Sequence, residues 1–143
     1  MQKLARKVLI GYLLVVGVIV FWPTPVDRPI AGSVRRVVDS AHQAGASGLS
    51  YNGVEIAANV AMFVPIGLLI LLAIPRLRWW GAIAAAVLLS CGIEAVQGVF
   101  LGGRTSSLTD VFANSIGAAV GVVLLLALIH RPRIPAIQRR RRR

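Results

Sequence analysis

Three pairs of polar side chains, each a carboxylate with an amide, recur in a chain that is otherwise strongly apolar. The pairs are Glu55 with Asn59, Glu94 with Gln97, and Asp110 with Asn114. Residues three or four apart share one face of a helix. Arg104 precedes the third pair, and a guanidinium can hold a carboxylate or another anion through two parallel hydrogen bonds. We therefore predict that these seven residues form a ligand-binding cluster.

The composition indicates an integral membrane protein. The 143 residues are 57% hydrophobic and only 15% charged, with a mean hydropathy of +0.76, whereas soluble domains carry about 25% charged residues. Cys91 is the single cysteine, which excludes an intramolecular disulfide. The sequence has no Ser/His/Asp triad, HExxH motif, phosphate loop or Cys/His metal spacing. We predict one membrane domain over residues 1–143 without metal or cofactor, and the lack of a catalytic motif argues against an enzyme.

Four apolar runs are each long enough, at roughly 20 residues, to cross a bilayer. They cover residues 4–22, 56–74, 79–101 and 111–130. Prolines follow several of them, at Pro23, Pro75 and Pro132, and proline does not continue a helix. The sequence thus predicts an all-α bundle of four transmembrane helices, with an outer loop over residues 23–55 and a basic tail over residues 131–143.

Two readings of the N-terminal half accompany this prediction. The basic start and the later "AGS" would also suit a cleaved signal peptide, but Ser33 lies about a dozen residues past the apolar run, which favours an uncleaved helix. Within the outer loop, "SVRRVVDSAHQ" predicts a short amphipathic helix on the membrane surface. Its apolar face would consist of Val34, Val37, Val38 and Ala41.

The basic residues indicate the orientation. With four spans, twelve of the sixteen Lys and Arg residues fall on the side of both termini, and Lys and Arg concentrate on the cytoplasmic side of membrane proteins. We predict cytoplasmic termini, so the net charge of +11 reflects topology rather than binding of nucleic acid. The C-terminal "QRRRRR" is expected to contact anionic lipid head groups.

This topology brings the three polar pairs to one depth, in the outer leaflet. Glu94 would lie only ~10 Å below Leu101, at 1.5 Å per residue. A carboxylate inside a membrane helix is costly and must face the bundle or a hydrated pocket; Arg104 is its nearest cation in sequence. Structural roles stay open: the amides as interhelical hydrogen bonds, Glu94 with Arg104 as an ion pair, and Glu55 as a solvated residue. For the start of the fourth helix, "SLTD" offers Ser107, Thr109 or Asp110 as a cap.

Other residues predict close packing or a bend. Gly117 and Gly121 form a small-xxx-small pattern that lets another helix approach, in the same molecule or in a second copy. Pro65 and Gly67 would kink or loosen the second span and free a backbone carbonyl one turn earlier.

These motifs resemble the VanZ-like membrane proteins in "NVAMFVPIG", "IEAVQ" and "GRTSSLTDVFANSIGAAVG". The family pattern is an Asn before Phe-x-Pro-x-Gly, a Glu-x-x-Gln pair, an Arg, Asp-x-x-x-Asn and Gly-x-x-x-Gly. The matching positions are Asn59, Phe63, Pro65, Gly67, Glu94, Gln97, Arg104, Asp110, Asn114, Gly117 and Gly121. The family often has an acidic residue soon after the Arg, where this chain reads Ser or Leu.

The resemblance implies a small multi-pass protein of the bacterial cytoplasmic membrane, and the family's namesake is associated with resistance to the glycopeptide teicoplanin. The leading hypothesis is a protein whose outer-leaflet pocket binds or modulates an envelope lipid, a lipid-linked cell-wall precursor or a glycopeptide. The alternatives are an intramembrane enzyme with Glu94 as general base, a small transporter acting as a homo-oligomer, and a structural protein whose polar cluster holds the bundle together. The inner halves of the spans have few polar residues, which argues against a transporter.

Overall fold

The computed structural model describes residues 1–21, 28–43, 50–100 and 107–130, and in residues 28–31 only the backbone. This part of the chain is all-α and contains five helices. They are α1 (Gln2–Val20), α2 (Arg28–Gln43), α3 (Tyr51–Ala73), α4 (Trp79–Phe100) and α5 (Leu108–Ile129).

Three helices, α3, α4 and α5, are long and apolar enough to cross a membrane, with 23, 22 and 22 residues. They confirm the second, third and fourth predicted spans as helices. Within the described residues, α1 does not meet the same criteria of length and composition. The reason is that Lys3, Arg6 and Lys7 lie in the first two turns of its 19 residues. The structure thus supports three candidate spans, and the first predicted span, at α1, remains a prediction.

Helix starts differ from the predicted boundaries. The second span was expected to begin at residue 56, but α3 begins at Tyr51, because Ser50 caps it by accepting a hydrogen bond from the Gly53 N–H at 3.0 Å. Glu55 therefore lies inside α3 rather than in the outer loop. Similarly, α5 begins at Leu108 rather than at residue 111, with Ser107 as its N-cap residue.

The predicted amphipathic helix in the outer loop is present as α2. Val34, Val38 and Ala41 are at least partly buried, as expected for one face at the spacing i, i+4, i+7. Val37 lies three residues after Val34 and four before Ala41, a spacing that keeps it on the same helix face, and it is 63% exposed. Contact of this face with a membrane surface stays a prediction.

Close packing joins α3 to α5 through three glycines. A side-chain carbon at Gly117 would overlap the carbonyl oxygen of Val60, and one at Gly121 would overlap that of Val64. A third glycine, Gly67, faces the backbone of Ala118 in the same way. Only hydrogen fits at these positions, so the two backbones pack without intervening side chains, as in small-residue membrane interfaces. The close approach thus occurs within one chain. The numbers of the contacting residues increase together along the two helices, so α3 and α5 run parallel.

Hydrogen bonds from α1 fix its direction against the other helices. Near its start, Arg6 Nε donates to the carbonyl of Ala73 at the end of α3, at 3.1 Å. Farther along, the hydroxyl of Tyr12 donates to the carbonyl of Met62 at 2.9 Å. The two helices are therefore antiparallel, and Val16 of α1 joins the core around Phe63 and Ile66.

The bundle formed by α1, α3, α4 and α5 has two chemically different ends. We call the polar end the one where α1 and α4 finish and α3 and α5 begin, at Val20, Phe100, Tyr51 and Leu108. We call the basic end the opposite one, at Gln2, Trp79, Ala73 and Ile129.

Candidate functional site

At the polar end, Asn59 and Asp110 form a direct link between α3 and α5. Asn59 Nδ2 donates to Asp110 Oδ1 at 2.9 Å, and both side chains are half-buried. Among the residues that the structure describes, Asp110 Oδ2 and Asn59 Oδ1 accept no hydrogen bond. We call these two residues the acceptor pair, because each has an oxygen available to a donor.

Glu55 lies one helical turn from Asn59, nearer the start of α3, and is exposed. Its spacing of four residues places it on the face that carries Asn59. Together with the acceptor pair it gives this part of the polar end a high density of hydrogen-bond acceptors. Donor groups such as hydroxyls, amides and amines complement such a surface.

Glu94 binds the start of α5. Its Oε2 accepts a hydrogen bond from the backbone N–H of Ser107 at 2.8 Å, and the side chain is only 9% exposed. Ser107 is the N-cap residue of α5, and its own side chain makes no capping hydrogen bond. A carboxylate at this place is stabilised by the positive end of the helix dipole. Glu94 thus supplies from α4 part of the capping that α5 lacks locally.

The partner predicted for Glu94 from the sequence, Arg104, lies outside the described residues. The backbone N–H of Ser107 is a partner that sequence reasoning missed. Its signal was present, because the first N–H groups of a helix need acceptors and few residues separate the end of α4 from the start of α5.

Gln97 joins α4 to α1. Its Nε2 donates to the carbonyl of Val20 at 2.7 Å, in a buried position with 7% of the side chain exposed. Val20 is the last residue of α1, and the last carbonyls of a helix have no partner within it. The bond therefore holds the end of α1 against the polar end.

Asn114 reaches α4 deeper in the bundle. Its Nδ2 donates to the hydroxyl of Ser90 at 2.9 Å, with Asn114 4% exposed and Ser90 fully buried. The Asn114 Oδ1 atom is buried and has no hydrogen-bond partner among the residues that the structure describes, which costs about 1–3 kcal/mol. Ser90 was missed in the sequence, although it lies four residues before Glu94 and seven before Gln97, on the same helix face.

The polar residues thus separate into two groups. Ser90, Glu94, Gln97 and Asn114 are buried, and each of them hydrogen-bonds another helix or the N-cap of one. We call them the buried set. The acceptor pair and Glu55 lie nearer the surface of the same end. The buried set connects helices, while the acceptor pair is half-buried and Glu55 is exposed.

The residues expected to pack or bend have distinct places. Gly67, Gly117 and Gly121 form the contact between α3 and α5. Pro65 lies inside α3, which continues through it; the absent N–H of proline leaves the carbonyl of Ala61 without its helical donor. Within the described ranges, no three His, Cys, Asp or Glu side chains come together so as to hold a metal ion.

Comparison with known proteins identifies the family. The model of the VanZ/LLP1 family matches residues 9–130, which covers α1 from Leu9 onward and all of α2 to α5. The chain belongs to this family. No curated protein and no solved structure matches it.

Proposed function

We propose that this VanZ-family protein spans the bacterial cytoplasmic membrane four times, with α1 as the first span and both termini in the cytoplasm. Two observations support α1 as a span. Its Arg6 bonds the end of α3 at the basic end, and its Val20 bonds Gln97 at the polar end, so α1 extends over the full height of the bundle. In this orientation the polar end faces the outer leaflet, in agreement with the distribution of Lys and Arg.

The function we propose is recognition of a lipid-linked head group, from an envelope lipid or a cell-wall precursor, at the polar end. The acceptor pair is the observation that supports it. Two half-buried side chains from different helices hold each other in position and keep one acceptor oxygen each for a ligand. Fixed acceptors at the membrane surface suit sugar hydroxyls and peptide N–H groups, because a buried donor left without an acceptor is penalised.

The other predicted site residues have supporting roles in this proposal. Glu94 and Gln97 position the start of α5 and the end of α1, so the acceptor pair is presented on a rigid frame. Glu55, one turn farther out, extends the acceptor surface. Arg104 would contact a phosphate of the same head group through its guanidinium.

Binding of a cell-wall precursor would connect the protein to glycopeptide resistance of the teicoplanin type. Such antibiotics act where precursors are exposed, at the outer face of the cytoplasmic membrane. A protein that holds the precursor head group there would alter access to it.

The test uses the Asp110→Asn variant, which keeps the size of the side chain and the oxygen that accepts from Asn59. Binding of an undecaprenyl-linked disaccharide-pentapeptide to the purified chain is measured by native mass spectrometry. We expect a loss of at least about ten-fold, since hydrogen bonds to charged groups contribute about 1.5–3 kcal/mol. In cells, susceptibility to teicoplanin should shift toward that of a strain without the protein.

The matched control is Asp39→Asn, which removes an exposed carboxylate of α2, a helix that supplies no residue to the acceptor pair. It should bind as the unmodified chain does. Equal binding by the unmodified chain and the Asp110→Asn variant, with both folded, would contradict the proposal.

A second candidate is a purely structural role, and the buried set favours it. Each hydrogen bond of this set connects two helices or completes a helix end, which is what a bundle-stabilising network does. Under this alternative, Asp110→Asn lowers thermal stability and leaves precursor binding absent in every variant. Under the proposed function, binding falls while the unfolding temperature stays nearly constant.

A further inference from the structure

A groove lies between α1 and α3 at the basic end. Its volume is about 380 Å³, within the range of about 300–1,000 Å³ that is usual for small-molecule sites. The lining residues are Arg6, Leu9, Ile10, Ala73 and Ile74. Ile10 is 59% exposed and Ile74 43%, so the groove opens sideways from the bundle. Its walls are apolar except for one guanidinium.

The Arg6 side chain is held at the edge of this groove. Its Nε donates to the Ala73 carbonyl at 3.1 Å, which anchors the guanidinium near the end of α3. Its two Nη atoms make no hydrogen bond with the residues that the structure describes. Lys3 precedes Arg6 by three residues and shares its helix face, so a second cation lies one turn nearer the start of α1.

Among the residues that the structure describes, no Asp or Glu side chain lies at the basic end to neutralise these charges. The sequence has no Asp or Glu in residues 1–26, 56–93 or 111–143, and these ranges supply all of α1, most of α3 and the whole basic end. An anion from the surroundings would therefore complement Arg6, Lys3 and Arg76. A guanidinium with free terminal nitrogens is well suited to a phosphate.

We propose that this groove binds one anionic glycerophospholipid from the leaflet that meets the basic end. An acyl chain packs against Leu9, Ile10 and Ile74, and the lipid phosphate accepts hydrogen bonds from the Nη atoms of Arg6. The sideways opening and the excess of positive charge select this occupant, because the surface of a membrane bundle at this place faces lipid. The site is separate from the acceptor pair, which lies at the opposite end.

The experiment measures lipid binding to the purified full-length chain by native mass spectrometry. The probes are dioleoyl phosphatidylglycerol, which is anionic, and dioleoyl phosphatidylcholine, which has no net charge. The variants are Arg6→Gln, which removes the guanidinium, and Ile10→Trp, which fills the groove without changing charge. The control is Lys7→Gln, which removes an exposed cation from the same helix outside the groove lining. Circular dichroism verifies that every variant keeps its helices.

The unmodified chain should prefer phosphatidylglycerol. Arg6→Gln should lower that preference about five-fold, the factor equivalent to ~1 kcal/mol for one basic residue at a membrane surface. Ile10→Trp should weaken binding of this lipid to a similar degree, while Lys7→Gln should change it less than two-fold. Equal losses for Arg6→Gln and Lys7→Gln would show attraction by net charge alone and overturn the site. No effect of Ile10→Trp would overturn the acyl-chain groove.

Discussion

The polar end and the basic end of this bundle neutralise their charged groups by different means. At the polar end, the carboxylates of Glu94 and Asp110 accept hydrogen bonds from neighbouring helices or their caps. At the basic end, one nitrogen of Arg6 donates to a carbonyl, and the adjoining sequence contains no Asp or Glu. The charged groups of the polar end thus interact largely within the protein, whereas those of the basic end are left to interact with the surroundings.

This difference follows from the different free-energy costs of acidic and basic side chains in a membrane. A carboxylate inside a membrane protein is costly unless it is paired, so the acidic residues of the bundle are drawn into contacts between helices. Long basic side chains reach the interface from a membrane helix at less cost. Substitution of a charged residue should therefore change protein stability at the polar end and interactions with lipid at the basic end.

The largest effect is expected from the glycine contact that joins α3 to α5 between the two ends. In Gly121→Val the new side chain overlaps the carbonyl oxygen of Val64. We expect a loss of more than about 3 kcal/mol in stability, beyond the usual cost of overpacking because backbone must move. The unfolding temperature in detergent measures it. The control is Gly92→Val, since Gly92 has open space around it and should tolerate the change.

A smaller effect is expected at the polar end when the acceptor for Ser107 is removed. Glu94→Leu leaves the backbone N–H at the start of α5 without this carboxylate, which should cost about 1–3 kcal/mol. Glu94→Gln keeps an acceptor oxygen and should recover most of the loss. The free energy of unfolding, measured by denaturant titration, compares the two variants.

Arg6→Gln provides the corresponding change at the basic end. It removes the hydrogen bond to the Ala73 carbonyl, which should cost about 0.5–1 kcal/mol, the lower part of the range for one hydrogen bond, because Arg6 is exposed. If Glu94→Leu and Arg6→Gln destabilised the protein equally, this would contradict the proposed difference between the two ends.

The smallest effect concerns Asn114 and Ser90. The double change Asn114→Leu with Ser90→Ala removes one interhelical hydrogen bond and also the unpaired Asn114 oxygen. The average contribution of such a bond in a membrane protein is about 0.6 kcal/mol, so we expect a net change of that size or less. The single change Ser90→Ala should cost more than the double change, because it leaves both polar groups of the Asn114 amide without a partner.

Much of the fold was predictable from the sequence, because hydrophobic length alone identifies α3, α4 and α5 as spans. Helix starts were less predictable. Ser50 and Ser107 extend α3 and α5 beyond their apolar runs, and a polar first turn is not visible in hydropathy.

The members of the polar cluster were also predictable, but their partners were not. Helical spacing identified Glu94, Gln97 and Asn114, yet two of these side chains bond backbone groups, the Ser107 N–H and the Val20 carbonyl. Every residue carries such groups, so residue type gives no indication of which one is used. The parallel packing of α3 on α5, which brings Asn59 to Asp110, likewise depends on which helix faces Gly117 and Gly121.

The orientation of the polar end is the claim on which the proposed function depends, and cysteine labelling tests it most directly. In a Cys91→Ser background, Glu55→Cys and Arg76→Cys place one thiol at an exposed position of each end. Intact cells are treated with a membrane-impermeant maleimide, and lysed cells provide the labelling control. We expect Glu55→Cys to be labelled in intact cells and Arg76→Cys only after lysis. Labelling of Arg76→Cys in intact cells, with Glu55→Cys protected until lysis, would contradict the account.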